Sequence, residues 1–533
     1  WWRSYVSQSL RRSARRMPLT VQGLITSTLH NSYRVHVLSD TPLIRETAIV
    51  EADAEFDWGT FLESKWTDLD EPVGSSLTTG GPPRFRNDIF DVEGGFRRQN
   101  RAGGQFEAGQ AFGTERSNSV FFIPKNQGTS RLTMSYTHPL LRGGGRIYNH
   151  SLILLAQVDA AIARDDFAAE LQNHLTEVVK AYWALYLERG ALLQRQRLFD
   201  RGKAILSDLS YRQAVDVVAN QIVRAEAAVA TRKSDLYRAA TGVKNAEARI
   251  RALVNDPSLG QLDEVEFTPV DVPVLEPLPL DLPDAIQVAI RNRPEIQLAI
   301  KQIKASGVRL DVSKNELLPL LDVALESYVA GLQAERDIGS AFTDQFQKGA
   351  PSYSAGIRME VPLRNRAARA RFQRRALEMR QFQSQLRTTL AALQLEVEIA
   401  VREVMTSYRE IEAKRLAMRA SENEVDFIQE RWRLLAGDDR SAGLVLEDLF
   451  AAQERLANQE FEYLTAEVQY NLAMVELQKA MGTLLQVEGI RASKQDACGI
   501  PAIQITQPHA AVPSVPTLDE PMTSVGPPAY VGP

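Results

Sequence analysis

The chain is written twice. EVVKAY at 177–182 returns as EVMTSY at 403–408, PLLRGGGR at 139–146 has its counterpart in PLRNRAAR at 362–369, and PLTVQGLITSTLHN from Pro18 aligns with PLDLPDAIQVAIRN from Pro279. The stretch from Arg212 aligns with that from Arg440, pairing Glu226 with Glu454 and Leu236 with Leu464. A repeat constrains the architecture before any single segment does, because each unit has to bury its apolar surface against its neighbour. The spacing between matched stretches varies, mostly between Tyr33 and Tyr136, so the halves share a plan and differ in their connections.

Two stretches read as rods. From Arg364 to Ala436 the sequence has neither glycine nor proline and is rich in good helix formers, and some 70 helical residues span on the order of 100 Å. Its partner runs from Arg146 toward Ser207, with only Gly190 and Gly202 to bend it. Each rod is followed by a turn, around 206–214 and 435–443, and by a return helix, about 214–254 and about 444–485. The result is two helical hairpins with their tips at one end. Alanines such as Ala156, Ala160 and Ala163, or Ala413, Ala417 and Ala420, allow close packing between helices.

At the other end of each rod stands a period of two. Tyr353, Ala355, Ile357, Met359, Val361 and Leu363 alternate with polar or small residues, and Leu132, Met134, Tyr136, His138 and Leu140 match them in the first half. Two more strands are read over Phe56–Trp66 and Leu321–Val329. The expectation is therefore four strands per chain, with long connections at 67–130 and 331–352, the first long enough to hold extra strands. Four amphipathic strands cannot close a barrel, and an open edge in lipid leaves backbone groups unpaired, so closure requires several chains. Periodicity leaves two copies with eight strands and three copies with twelve equally open.

The repeat sets the boundaries: a basic N-terminal segment (1–17, with Arg11, Arg12, Arg15 and Arg16), a first unit (18–266) of short helix, two strands with a long loop and a helical hairpin, a proline-rich linker (267–283), a second unit (284–485), and a proline-rich tail (486–533) expected to lack structure. The first residue, Trp1, reads as a processed or truncated N-terminus. A net charge of -5 with interspersed signs lacks the footprint of a nucleic-acid binder. One cysteine, Cys498, excludes an intrachain disulfide, and six scattered histidines show no metal-ligand spacing. No metal, cofactor or catalytic residue is assigned. Gly143–Gly145 lacks the spacing of a phosphate loop and reads as a turn between strand and rod.

In this order and repeated, LPDAIQVAIRNRPEIQLA (282–299), YSAGIRMEVPLRNRAARAR (353–371) and GLVLEDLFAAQERLANQEFEYLTAEVQYNLAMVELQKAMG (443–482) resemble the TolC-type outer-membrane efflux proteins, the outer membrane factors. The resemblance covers roughly residues 18–485. It implies an α+β membrane protein, internally duplicated and not an enzyme. Three copies would form a twelve-stranded outer-membrane barrel continued by a tunnel of long helical hairpins in the periplasm of a Gram-negative-type bacterium. Such a homotrimer is a passive exit duct of a tripartite efflux or type I secretion system. Its partners would be a periplasmic adaptor, an inner-membrane pump and outer-membrane lipid, and no nucleic acid.

The resemblance places the adaptor-docking tips at Leu209, Tyr211 and Arg212 on the first hairpin. On the second it places them at Gly437, Asp438, Asp439, Arg440, Gly443 and Leu444. It assigns the periplasmic entrance gate to Asp448, while Ala451 and Asn220 stand where the family has acidic residues. On the residues alone, Asp448 equally reads as a first-turn carboxylate favouring the helix dipole. The competing class is a soluble coiled-coil scaffold or membrane-remodelling protein, which accounts for the rods but not for the strands.

Overall fold

A computed structural model describes residues 1–10, 15–77, 79–212, 219–260, 265–434, 440–497 and 500–507. The chain opens with a helical turn α1 (Arg3–Val6) and strand β1 (Arg15–Leu19), then helices α2 (Val21–Asn31) and α3 (Tyr33–Ala54). Four strands follow: β2 (Gly59–Pro72), β3 (Arg84–Gln99), β4 (Gln105–Ser117) and β5 (Asn126–Pro139). Next come α4 (Arg146–Asn149), the rod α5 (Ser151–Arg212), its return helix α6 (Ala219–Val254) and strand β6 (Val265–Pro269).

The second set repeats this order: α7 (Leu282–Asn292), α8 (Pro294–Asn315), strand β7 (Leu320–Ala334), a short helix α9 (Ile338–Gln347), β8 (Ser352–Glu360), the rod α10 (Arg366–Leu434) and α11 (Arg440–Ala480). Helices α2 and α7 are both 11 residues long, and α3 and α8 both 22. A turn α12 (Leu484–Val487) and a hairpin β9 (Arg491–Ala497) to β10 (Ile500–Thr506) complete the described chain.

The rods pack into one core. Leu171, Leu175, Val178, Tyr182 and Leu185 of α5 share one buried core with Leu464, Val468 and Leu477 of α11, and α11 in turn packs on α10, whose Val397, Val401 and Val404 belong to the same core. Gly190 and Gly202 lie inside a continuous helix and serve close approach: a Cβ on Gly190 would sit 2.3 Å from Leu464 Cδ2, and one on Gly202 2.8 Å from Arg232 Nη1. Ala156, Ala160 and Ala163 are buried as small contact residues, whereas Ala413 and Ala420 are exposed. Tyr182, Trp183 and Tyr186 stack edge to face within this core, and Tyr182 accepts the Asp271 N–H at 2.9 Å.

The sheet corrects the strand count. It has six strands in the order β2-β3-β4-β5-β7-β8, every neighbouring pair antiparallel. The four expected strands are β2, β5, β7 and β8, and the long first connection supplies a complete extra hairpin. Strands β2 and β8 are the two open edges. The physical reason for the miss is glycine. Gly94, Gly95, Gly109 and Gly113 depress strand propensity in sequence, yet a Cβ on Gly95 would lie 2.2 Å from the Ala108 carbonyl and one on Gly109 2.7 Å from Glu93 Oε1.

The tail is corrected as well. Residues 491–497 and 500–506 pair antiparallel as β9 and β10, with Ile490 and Ile505 packed against the main core. Lys494 of this hairpin and Arg164 of α5 both bind Glu46 of α3, at 2.8 and 2.5 Å.

Candidate functional site: a two-faced sheet and the hairpin tips

Strand register sorts the sheet into two faces. One carries Leu62 and Trp66 of β2, Phe90, Val92 and Phe96 of β3, Phe106 and Phe112 of β4, Leu132 and Met134 of β5, Val323 and Leu325 of β7, and Ile357 and Met359 of β8. Most of these side chains stand in the open, Leu62 77% exposed, Trp66 68% and Ile357 75%, whereas Val92, Phe106, Phe112, Leu132 and Val323 are half-buried. The opposite face carries Glu63, Lys65, Asp91, Glu93, Arg97, Glu107, Glu115, Arg131, Glu326, Arg358 and Glu360, interrupted by Phe61, Leu69, Phe85, Ile89, Leu320, Tyr328 and Leu332, and beyond Trp66 and Phe90 the first face itself turns charged with Asp68, Asp70, Arg84, Arg86 and Asp88.

Aromatic residues mark two levels of the apolar face. Trp58 meets Phe106 edge to face at 5.9 Å, with Tyr136 paired to Phe106. Eight residues along β2, Trp66 pairs with Phe90. Eight residues of strand span about 27 Å, or about 20 Å along the axis of a barrel whose strands tilt about 40°, which fits within the ~25 Å apolar band that aromatic girdles flank in membrane barrels. No helix of the described residues is long and apolar enough to cross a membrane.

Helix α9 lies across the apolar face near the far end. Asp337 caps it, accepting the Ser340 N–H at 2.9 Å. Its seat is small and polar: Gly331 comes so near that a Cβ would lie 2.0 Å from the Ala341 carbonyl, and Gln110 donates to the buried Gln345 Oε1 at 3.1 Å. Phe342 packs on Phe112 at 5.8 Å and on Phe346 at 5.3 Å.

Glycine turns join sheet to rods. Gly143 and Gly145 have φ values of 82° and 94°, a conformation suited to glycine. Gly143 donates to Asn315 Oδ1 at 2.8 Å, and Asn149 caps the carbonyls of both glycines. The reading of this triplet as a structural corner therefore stands.

At the opposite end, the four rod ends meet. Leu209, Ala225, Trp432, Val445, Leu446 and Leu449 form one buried cluster, and Arg224 of α6 pairs with Glu447 of α11 at 2.9 Å. Behind it, the buried Arg232 donates to the Leu198 carbonyl at 3.1 Å and to Gln453 Oε1 at 3.0 Å, and burial lowers its pKa to about 10.

The tip residues fare differently. Leu209 is buried in the cluster, Tyr211 is 82% exposed, and Leu444 is exposed. Gly443 lies beside Gln221, its Cβ position 3.9 Å from Nε2. The backbones of Arg212 and Arg440 end α5 and begin α11. Gly437, Asp438 and Asp439 lie outside the described residues.

Asp448 is exposed on α11, on one stripe with Ala451 and Arg455. Because α11 begins at Arg440, Asp448 stands two turns inside it and not in the first turn, which removes the helix-dipole reading. Arg455 was not singled out by sequence; it binds Glu424 of α10 at 2.6 Å, and that hydrogen bond raises its pKa. Among the described residues, no group of His, Cys, Asp and Glu is placed to hold a metal ion.

No protein-family model matches the sequence, and no curated protein matches it either. Solved structures do match. The outer-membrane channel OprN superposes with a TM-score of 0.63 at 15% identity, over 87% of this chain and 90% of that one. The outer membrane protein VceC of Vibrio cholerae gives 0.62 at 15%, over 87% and 96%. CusC, described for its folding and transmembrane channel formation, gives 0.63 at 11%, over 90% and 96%. The chain has the fold of the outer membrane factors, the TolC-type outer-membrane channels.

Proposed function

We propose that this protein is a passive exit duct of a bacterial outer membrane, acting as a homotrimer whose sheets close a barrel in lipid and whose rods form a periplasmic tunnel. The observation that carries the reading is the sheet itself: apolar and exposed on one face, charged on the other, open at both edges, and joined directly to long helices. A soluble scaffold has no use for such a face, since a large exposed apolar patch marks a membrane or protein contact. Further support comes from α10, where Leu395, Ile399, Leu416 and Phe427 are exposed along the rod as surfaces for a neighbouring copy.

In this reading the tips around Tyr211, Gly443 and Leu444 dock a periplasmic adaptor. An inner-membrane pump supplies the energy, Asp448 lines the entrance, and the chain performs no catalysis. The test is purification in detergent followed by native mass spectrometry and planar-bilayer recording. Three copies per particle and ion-conducting insertions are expected; a monomer that stays in the aqueous phase and never conducts sinks the proposal.

A further inference from the structure

We propose that the β3–β4 hairpin is part of the membrane wall, so that three copies of this six-stranded sheet close an eighteen-stranded barrel, β8 of each copy pairing with β2 of the next. This inference rests on the exit-duct reading.

Three observations carry it. The ladder is continuous: thirteen or more residue pairs join β2 to β3 and β3 to β4, with none of the irregularity of a flap folded onto the sheet. The hairpin also keeps the two faces in phase. Phe90, Val92 and Phe96 continue the apolar face of β2, whereas Asp91, Glu93, Glu107 and Glu115 continue the charged one. A loop lying outside the bilayer has no need of that alternation.

Finally, the turn is built into the junction between sheet and rods. Asn100 Oδ1 accepts the N–H groups of Ala102 and Gly104, both at 2.9 Å, and the Ala102 carbonyl accepts the Gly145 N–H at 3.0 Å from the glycine corner. On the other side, Arg101 pairs with Asp53 at the end of α3 at 2.8 Å, and Arg98 donates to the Phe56 carbonyl at 2.8 Å. A Cβ on Gly103 would lie 2.7 Å from the Gly143 carbonyl, so the hairpin turn and the corner are fitted to each other.

The closure is also geometrically consistent. Five antiparallel pairs separate β2 from β8, so the two edges run in opposite directions and join antiparallel. The girths agree: four packed helices per copy occupy about 32–40 Å of circumference. Six strands tilted about 40° occupy about 38 Å, so the wider sheet also fits above four helices. The added strands line the lumen with four carboxylates against the single guanidinium of Arg97.

The experiment uses the full chain with Cys498→Ser, reconstituted in phospholipid vesicles, with single cysteines carrying a nitroxide at Phe96, Glu93, Leu325 or Glu326. Relaxation by oxygen, which partitions into lipid, is compared with relaxation by an aqueous nickel chelate. Expected is the same inversion in both strands: Phe96→Cys and Leu325→Cys favour oxygen, Glu93→Cys and Glu326→Cys favour nickel. Native mass spectrometry should give three copies. If both β3 sites favour nickel while β7 still alternates, the hairpin lies outside the bilayer; the inference fails and the exit-duct reading survives. If β7 does not alternate either, both fail.

Discussion

Arg189 of α5 and Glu266 of β6 form an ion pair at 2.7 Å in which the two side chains are 0% and 1% exposed. Arg189 also donates to the carbonyls of Val6 at 2.9 Å, Gln8 at 2.5 Å and Phe267 at 3.0 Å. One guanidinium therefore ties the N-terminal segment and the link between the repeats to the first rod. Removing one member of a buried pair strands the other, at about 3–5 kcal/mol. Arg189→Met should release the β1–β6 pair, read as lost amide protection over 15–19 and 265–269 by hydrogen exchange. Joint replacement with Glu266→Leu should restore most of it; protection unchanged in the single variant would contradict this role.

A pH dependence follows from His174. It is buried on α5 with Nε2 3.0 Å from Ser32 Oγ, and burial first, then the nearby Arg34 charge, hold its pKa below the ordinary 6.5. Glu177 acts in the opposite direction. Below about pH 6.5 the unfolded chain takes up a proton that the folded one refuses. This contribution is complete above pH 6.5 and lost as the pH falls through the folded value. Melting temperatures between pH 7.5 and 5.5 should drop more for wild type than for His174→Gln, and parallel curves would remove His174 from the account.

At the entrance, Asp448 lies on the same stripe as Arg455, whose charge is partly engaged by Glu424. If three copies bring Asp448 near the axis, Asp448→Asn should weaken cation preference and Arg455→Ala should strengthen it. Stability should change by no more than about 0.5 kcal/mol for the exposed aspartate. Reversal potentials in a salt gradient provide the measurement. Equal values for Asp448→Asn and wild type would remove the gate assignment.

The C-terminal hairpin divides the tail into two parts with different expected effects. A chain ending at Gln507 should melt like wild type, because 508–533 is proline-rich and lacks packing periodicity. A chain ending at Gly489 also loses Ile490, Ile505 and the Lys494–Glu46 contact, with a cost on the order of 2 kcal/mol from apolar burial. Equal melting of the two truncations would show that the hairpin adds nothing.

The duplication, the rods and the four alternating strands were legible in sequence because each rests on a local period. Helix α10 runs Arg366–Leu434 where the glycine-free and proline-free stretch spans 364–436, and β8 follows the alternation from Tyr353 as far as Glu360. The need for lipid and for several copies was legible for the same reason, since four amphipathic strands cannot close a barrel by themselves; the exit-duct expectation came from the resemblance of whole stretches and not from any local period.

What only the tertiary structure decided depends on partners distant in sequence. Gly95 and Gly109 look like strand breakers until Ala108 and Glu93 approach them across the ladder, and so the β3–β4 hairpin was left out of the four-strand count, although the connection was read as long enough to hold extra strands. The prolines of 486–533 pointed to an unstructured tail until β10 found β9 and the core beside α3. Arg455 gains meaning only when α10 brings Glu424 to it. A periodic pattern records which face of an element is buried; which element lies against that face is set by packing between residues far apart in the chain.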